Sequence, residues 1–304
     1  MSRSILITGA SGFTGKHFIK QAKKLGFSII ALSSNEEPIC HADHQLTVDL
    51  TDKAAVIEAL APLDIDFVVH LAAISFVAHG DTKDIYNTNV VGTVNLLDGL
   101  IELNKKPARV LVASSGNIYG NAKTLPIDEA MPFSPANDYA VSKCAMELAV
   151  SLRQNALSCI IVRPFNYTGV GQSSHFLVPK IVNAFKAKQP IIELGNLDVE
   201  RDISDVRDVV KYYLALLTTA LPENQQPVVN ICSGQSISLL AIIEKLQALT
   251  NHTIDVQINR KFVRDNEVKK LFGDNRKLKS LLGHGPSYQI DDTLMWMLNA
   301  PTPN

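Results

Sequence analysis

A serine, a tyrosine and a lysine hold the chemistry of this sequence. Tyr139 and Lys143 stand one helical turn apart in Tyr139-Ala140-Val141-Ser142-Lys143, and Ser115 lies upstream in Ser114-Ser115-Gly116-Asn117-Ile118-Tyr119-Gly120. On a helix, residues at i and i+4 share one face. An ammonium beside a phenol can lower the phenol's pKa from its ordinary value of about 10 and can hold a ribose hydroxyl. A serine hydroxyl can orient a carbonyl oxygen. Such a set suits hydride transfer to or from a carbon that bears oxygen.

A glycine-rich turn precedes this set. Gly9, Gly12 and Gly15 follow a short apolar strand and open a helix, with Phe13 and Thr14 between the last two. Gly9 permits a tight turn, Gly12 lets a pyrophosphate approach the backbone, and Gly15 lets helix and strand pack closely. The free N–H groups and dipole of the helix then face the phosphates. The end of the second strand, where an Asp commonly binds the adenine ribose, holds Ser33-Ser34-Asn35 instead. Losing the carboxylate removes repulsion against a 2′-phosphate, yet no Arg stands there to grip one. The expected cofactor is NADPH, with NADH also used.

Composition excludes several classes. The chain has 304 residues, 46% hydrophobic and 19% charged, enough for a substantial core. A net charge of −1 gives no reason to expect nucleic acid or an acidic membrane surface. No apolar run approaches a membrane span. Met1-Ser2-Arg3-Ser4 leads straight into a strand, so no signal peptide is expected. Cys40, Cys144, Cys159 and Cys232 are scattered without metal-ligand spacing. They read as reduced thiols of a cytoplasmic protein, and no metal is expected.

The elements that must carry these residues alternate. Strands are expected at Ser4–Thr8, Ser28–Leu32, Leu46–Asp49, Phe67–Leu71, Arg109–Ala113 and Ser158–Arg163. Helices are expected at Thr14–Leu25, Lys53–Leu60, Tyr86–Leu103 (one long helix) and Ala140–Gln154. This alternation implies a Rossmann-type, doubly wound parallel sheet. After Pro164 the segments shorten. The expected division is a dinucleotide-binding domain over 1–164, with part of 205–235 returning to it, and a smaller α/β substrate-binding domain over 165–304.

With the glycine turn, Ser115, Tyr139 and Lys143 resemble the extended short-chain dehydrogenase/reductases that modify nucleotide sugars. The resemblance runs from about Ile5 to Trp296. It implies that Tyr139 protonates the developing alkoxide, Lys143 lowers its pKa and binds the nicotinamide ribose, and Ser115 bonds the reacting oxygen. It also implies that Asp49 and Leu50 meet the adenine, that Leu71, Ala72 and Ala73 line the cofactor, and that Asn89 props the site. His70 is expected to be packed rather than catalytic. A homodimer is implied, built on the helices at Tyr86–Leu103 and Tyr139–Gln154.

The second half resembles the GDP-sugar reductases of that family. Arg163-Pro164-Phe165-Asn166 and Gly195-Asn196-Leu197-Asp198-Val199-Glu200-Arg201-Asp202 carry this likeness. It implies that Asn166, Arg201 and Arg264 contact the diphosphate or sugar, that Glu267 holds the nucleotide's ribose, and that Asn117 and Val178 line the substrate. Dehydratases of the family carry acidic residues directly after the active-site hydroxyl, where this chain has Gly116-Asn117. The expected reaction is therefore NAD(P)H-dependent reduction of the 4-keto group of a nucleotide-linked 6-deoxy-4-ketohexose, GDP-4-keto-6-deoxy-D-mannose first. Such a step belongs to deoxysugar or lipopolysaccharide biosynthesis. The alternatives are a 4-epimerase with tightly bound NAD, a GDP-deoxyheptose reductase and a catalytically silent dinucleotide sensor.

Overall fold

The structure is a computed structural model that describes residues 2–75, 81–219, 227–263 and 267–301. Strands and helices alternate through the first half: β1 (Ser4–Thr8), α1 (Phe13–Lys24), β2 (Ser28–Ser33), β3 (His44–Thr47), α2 (Lys53–Leu60), β4 (Phe67–His70), α3 (Thr82–Tyr86), α4 (Gly92–Glu102), β5 (Arg109–Ala113), α5 (Asp138–Ser151) and β6 (Cys159–Pro164). Helices α6 (Leu177–Lys186), α7 (Val206–Thr218), α8 (Leu239–Thr250), α9 (Arg276–Leu282) and α10 (Ile290–Asn299) follow, among short strands. The later strand Val228–Ile231 joins the sheet beside β6. The seven parallel strands run in the order Val228–Ile231, β6, β5, β4, β1, β2, β3. Winding reverses between β1 and β4, the place where open sheets of this class bind ligands at the carboxyl ends of their strands.

Helices cover both faces of the sheet, which is why its strands read as unbroken apolar runs. In β1, Ile5 and Ile7 face a core with Phe18, Ile19, Val209 and Tyr213, while Leu6 faces one with Val68, Leu96, Leu97, Val110 and Met146. A third core packs α6, α8 and α10 through Ile181, Phe185, Ile242, Leu246 and Leu294. Burying one such side chain is worth roughly 1.5–3 kcal/mol.

The helix expected over Tyr86–Leu103 runs without interruption from Thr82 to Glu102, but it widens along the way. A π-helical turn, Asn87–Val91, joins α3 to α4. The reason is Asn89, which is fully buried. Its amide accepts from Ile74 N–H at 2.8 Å and donates to Ile74 O at 3.2 Å and to Ser142 Oγ at 2.9 Å. The Thr93 hydroxyl donates to the Asn89 carbonyl at 2.7 Å. These bonds hold Asn89 inward, and the wider turn accommodates it.

His70 ends β4 inside a fixed proton chain. Thr93 donates to Asn89, so Thr93 Oγ1 accepts from His70 Nε2–H at 2.8 Å. His70 Nδ1 then accepts from Thr8 Oγ1 at 2.7 Å, and Thr8 Oγ1 accepts from Ala72 N–H at 3.2 Å. Burial, helped by the Lys143 charge, pushes the imidazole down to about 3. An unfolded histidine takes up its proton near pH 6.5 (about 6.5). Between those values the unfolded chain binds more protons, so this contribution to stability is complete above pH 6.5 and is lost as pH falls toward 3. Urea denaturation of the wild type and His70→Gln at pH 7 and pH 5 tests this. The wild-type advantage should shrink by about 2 kcal/mol at the lower pH. An unchanged difference would show that the imidazole is not held neutral.

Candidate active site

The glycine turn crosses the loop after β4 at backbone contact. Gly9 has φ +67°, and a Cβ there would lie 2.7 Å from Ala72 N. A Cβ on Gly15 would lie 2.4 Å from Gly9 O, so α1 starts against the turn only because both positions lack side chains. Gly12 caps α1 without any side-chain bond, and the first turn carries no acidic residue. That helix end offers N–H groups to an anion and nothing that repels one, so it fits a dinucleotide pyrophosphate. Phe13 begins the helix, and the Thr14 hydroxyl meets the Tyr167 hydroxyl at 2.8 Å. Leu71, Ala72 and Ala73 lie across the turn, with Leu71 N–H bonded to Thr8 O at 3.2 Å.

At the end of β2 the Ser33 hydroxyl is buried and donates to Asn35 Oδ1 at 2.9 Å, while Ser34 and Asn35 are exposed. The Asp49 carboxylate is exposed and accepts from Thr51 N–H at 2.9 Å. The cap of α2 is Asp52, which accepts from Ala55 N–H at 3.1 Å. β3 ends at Thr47, two residues before the expected end, because Val48-Asp49-Leu50 turns toward α2. Leu50 is buried, and its carbonyl accepts from the Asn95 amide at 2.8 Å.

Ser115 stands just past β5, where its backbone is extended and its Oγ accepts from Asn117 N–H at 3.2 Å. Asn137 caps α5 by accepting from Ala140 N–H at 2.9 Å, which sets the helix phase so that Tyr139 and Lys143 share a face. Lys143 is only 3% exposed and its Nζ donates to Ala113 O at 2.8 Å. Burial pulls its ammonium down to about 8, against the charge of Glu147. Burial pushes the Tyr139 phenol up to about 12, against a hydrogen bond with Ser115. The phenol is thereby held protonated, as a proton donor requires. Cys144, beside Lys143, has its thiol pushed up to about 11 by burial and is no nucleophile.

On the substrate side, Asn166 is exposed and Asn117 half-buried. Val178, expected to line the substrate, is buried and packs in the third core. Arg201 and Glu267 come together as an ion pair at 2.5 Å, and Arg201 also donates to Glu200 O at 2.9 Å. Arg264 lies outside the described residues. Glu267 lines a cavity of about 490 Å³ with Gly195, Asn196, Leu197, Asp198 and Lys269, a size suited to a nucleoside. Asp202 is committed to structure: it accepts from Ser233 N–H at 2.7 Å and Gly234 N–H at 2.8 Å.

Behind the site lies a buried polar network that residue types alone did not reveal. Arg163 forks onto Glu147, Nε to Oε1 at 3.0 Å and an Nη to Oε2 at 2.7 Å. It also donates to Tyr119 Oη at 2.8 Å, and Tyr119 donates to Asn230 Oδ1 at 2.8 Å. Asn230 N–H donates to Glu129 Oε1 at 2.8 Å. The one legible signal was spacing: Tyr139, Lys143 and Glu147 recur at successive fours along α5. Breaking such a pair by removing one partner costs about 3–5 kcal/mol.

Residues 5–232 match the model of the NAD dependent epimerase/dehydratase family. A GDP-6-deoxy-D-talose 4-dehydrogenase of Aggregatibacter actinomycetemcomitans is 36% identical over 92% of this chain and 91% of its own. A GDP-6-deoxy-D-mannose reductase of Pseudomonas aeruginosa is 30% identical over 98% and 97%. Among solved structures, a putative epimerase from Burkholderia cenocepacia J2315 superposes with a TM-score of 0.90 at 42% identity, covering 98% of this chain and 97% of that one. RMD from Pseudomonas aeruginosa, solved with NADPH, does so at 0.82 and 29%, covering 98% of both.

The end of β2 gives a test of cofactor choice. With the adenine ribose at the end of β2 as expected, Ser33→Asp would bring a carboxylate toward a 2′-phosphate and repel it. The ratio of kcat/KM for NADPH over NADH should fall by tens-fold, about 2 kcal/mol. A variant that keeps the wild-type ratio would remove Ser33 from the adenine ribose.

Proposed function

The chain belongs to the NAD dependent epimerase/dehydratase family, enzymes acting on nucleotide sugars, and we propose that within it this protein is a 4-ketoreductase of a GDP-linked 6-deoxyhexose. GDP-4-keto-6-deoxy-D-mannose is the favoured substrate. The observation that carries this reading is the pairing of a complete hydride-transfer set with a missing elimination set. Ser115, Tyr139 and Lys143 converge at the carboxyl edge of the sheet, while Gly116-Asn117 supplies no carboxylate after the serine. Glu129 Oε1 is engaged by the Asn230 N–H at 2.8 Å, which ties that carboxylate to the sheet's edge strand. The two GDP-deoxysugar relatives, one a 4-dehydrogenase and one a reductase, support a GDP-linked deoxysugar and redox chemistry on it.

In this mechanism the dinucleotide, held by Gly9, Gly12, Phe13, Thr14 and Gly15 with Ser33, Ser34, Asn35, Asp49 and the Leu71–Ala73 loop around it, supplies the hydride. Ser115 orients the 4-keto oxygen. Tyr139 gives that oxygen a proton as charge develops on it. Lys143 stabilises the phenolate left behind and binds a ribose hydroxyl. NADPH is favoured because the end of β2 lacks a carboxylate, and RMD is solved with NADPH. Asn166, Arg201 and Glu267 are proposed to hold the sugar nucleotide, with 1–164 (and part of 205–235) serving the cofactor and 165–304 the substrate. No described helix is long and apolar enough to cross a membrane, and we place the enzyme in the cytoplasm.

A 4-epimerase is the second reading, favoured by the epimerase-like Burkholderia cenocepacia structure. The two differ in cofactor economy: a reductase releases its oxidised dinucleotide each turnover, whereas an epimerase retains NAD. Incubating the protein with GDP-, dTDP- and UDP-4-keto-6-deoxyhexoses and NADPH, followed by NMR of the product, separates them and reports the C4 configuration. We expect NADPH loss with the GDP sugar, no reaction with GDP-mannose alone, and at least about a hundredfold loss of turnover in Tyr139→Phe. Near-wild-type turnover in that variant, or a 4-keto product from GDP-mannose, would sink the assignment.

A homodimer through α4 and α5 is also proposed. Leu148 is 60% exposed and Leu152 82%, with Val141 beside them on α5 and Val91 at the start of α4, an apolar stripe beyond what one inward face needs. Light scattering at micromolar concentration should give twice the chain mass, and Leu148→Glu should halve it. A wild-type monomer rules the dimer out.

A further inference from the structure

Arg163 touches both elements that carry the reacting hydroxyls. Its guanidinium stands at the end of β6, 5% exposed, and all three side-chain nitrogens have partners. Nε and one Nη fork onto the Glu147 carboxylate at 3.0 and 2.7 Å. Glu147 lies on α5, farther along the face that carries Tyr139 and Lys143. The other Nη donates to Tyr119 Oη at 2.8 Å and to Glu129 O at 3.1 Å. Tyr119 ends the tight helical turn Gly116–Tyr119, which Ser115 caps.

The far end of that turn is held from every side. Tyr119 is fully buried, and its hydroxyl donates onward to Asn230 Oδ1 at 2.8 Å. The Asn230 amide donates in turn to Ile127 O at 2.9 Å. The Tyr119 ring lies 5.2 Å from the guanidinium and stacks on Phe165 at 6.0 Å. Phe165 also presses on the start of the turn, where a Cβ on Gly116 would meet its ring at 3.0 Å. A buried, charge-assisted fork fixes direction as well as distance, because an unmade bond there is costly.

Resting on the reductase reading, we propose that Arg163 is a positioning residue for the reaction, spanning from α5 to the Ser115 turn and so setting the Ser115 hydroxyl against the Tyr139 phenol. The other ties on α5 do different work. Ser142 joins it to Asn89, and Arg153 joins its end to Asp98 of α4 at 2.6 and 3.0 Å. Lys143 reaches Ala113 at the end of β5, before the turn begins, and leaves the Tyr119 end to Arg163. A lysine at 163 would balance the Glu147 charge but would not fork onto it and reach Tyr119 together. Misplacing a reacting group by about 1 Å costs on the order of a hundredfold in rate, so a tie of this kind acts on turnover.

Two measurements test this, and the first needs no sugar. Tyr119→Phe removes one buried oxygen and keeps the ring. Hydrogen exchange followed by NMR in the ligand-free variant should show about tenfold less protection at the Asn117 and Ser134 amides, which bond Ser115 Oγ and Ile118 O, with β1 unchanged. The second is kinetic, with NADPH and the GDP-4-keto sugar. In Tyr119→Phe, kcat should fall on the order of tenfold while the NADPH Kd holds, since none of these bonds reaches the glycine turn. Ser115→Ala should cost on the order of a hundredfold in the wild type and clearly less in Tyr119→Phe, where the hydroxyl is already displaced. Arg163→Lys should behave as Tyr119→Phe does. General loosening of the fold would leave the cost of Ser115→Ala the same in both backgrounds. Wild-type exchange at Asn117 in Tyr119→Phe overturns the proposal, and so do equal costs of Ser115→Ala or a wild-type kcat in Arg163→Lys. Should Arg163→Lys not fold, the Tyr119→Phe results decide alone. Lost protection at the turn, with no 4-keto sugar turned over by the wild type, would uphold the tie and discard the substrate assignment instead.

Discussion

Burying one ammonium sets the terms for much of this structure. A cation taken out of water is costly unless it is bonded and balanced by charge. Lys143 donates to the Ala113 carbonyl at 2.8 Å, and Glu147, of opposite charge, is buried one turn along the same helix face. The consequences spread outward. Glu147, now a buried anion, needs the Arg163 fork. Arg163 in turn takes up Tyr119, which ties down the turn carrying Ser115 and Asn117. His70, facing the same cation from β4, has to stay neutral, and two threonine hydroxyls make that state comfortable.

A second constraint acts on the backbone. The turn after β1 and the loop after β4 pass so closely that a Cβ on Gly9 would collide with Ala72. Thr8 joins them from below, accepting from Ala72 N–H and bonding His70 with the same hydroxyl. The turn into α1 is thereby coupled to the end of β4. It is coupled to the second half as well. Phe13 stacks with Tyr167 at 6.1 Å, the Thr14 and Tyr167 hydroxyls meet, and His17 packs edge-on to Trp296 at 5.8 Å. Helix α1 and the second half of the chain thus share an aromatic seam, the kind of fixed contact that could hold two ligand sites in register.

Much of this was legible beforehand, for local reasons. The strand and helix alternation is written in apolar runs and caps, each fulfilled within a few residues. Examples are Asp205 capping α7 through Arg207 N–H at 2.7 Å and Asn137 capping α5. Where expectation and structure parted, a distant partner intervened. The Tyr86–Leu103 helix widened at Asn89 because Ile74 and Ser142 bond its amide. Val178 turned into a core completed by α8 and α10. The fold also brings Arg201 and Glu267 together as an ion pair, which spacing alone does not announce.

By itself, then, the order of residues determined the sheet class, the glycine turn and the face shared by Tyr139 and Lys143. Those depend on backbone freedom and helical period, which act over a handful of neighbours. Only the tertiary structure decided the protonation of the site and the clamp behind it. Tyr119 finds Asn230 across 111 residues, and Asn230 finds Ile127 across 103. The pKa of Tyr139 and Lys143 is set by burial, a property of the packed whole that no short stretch of sequence contains.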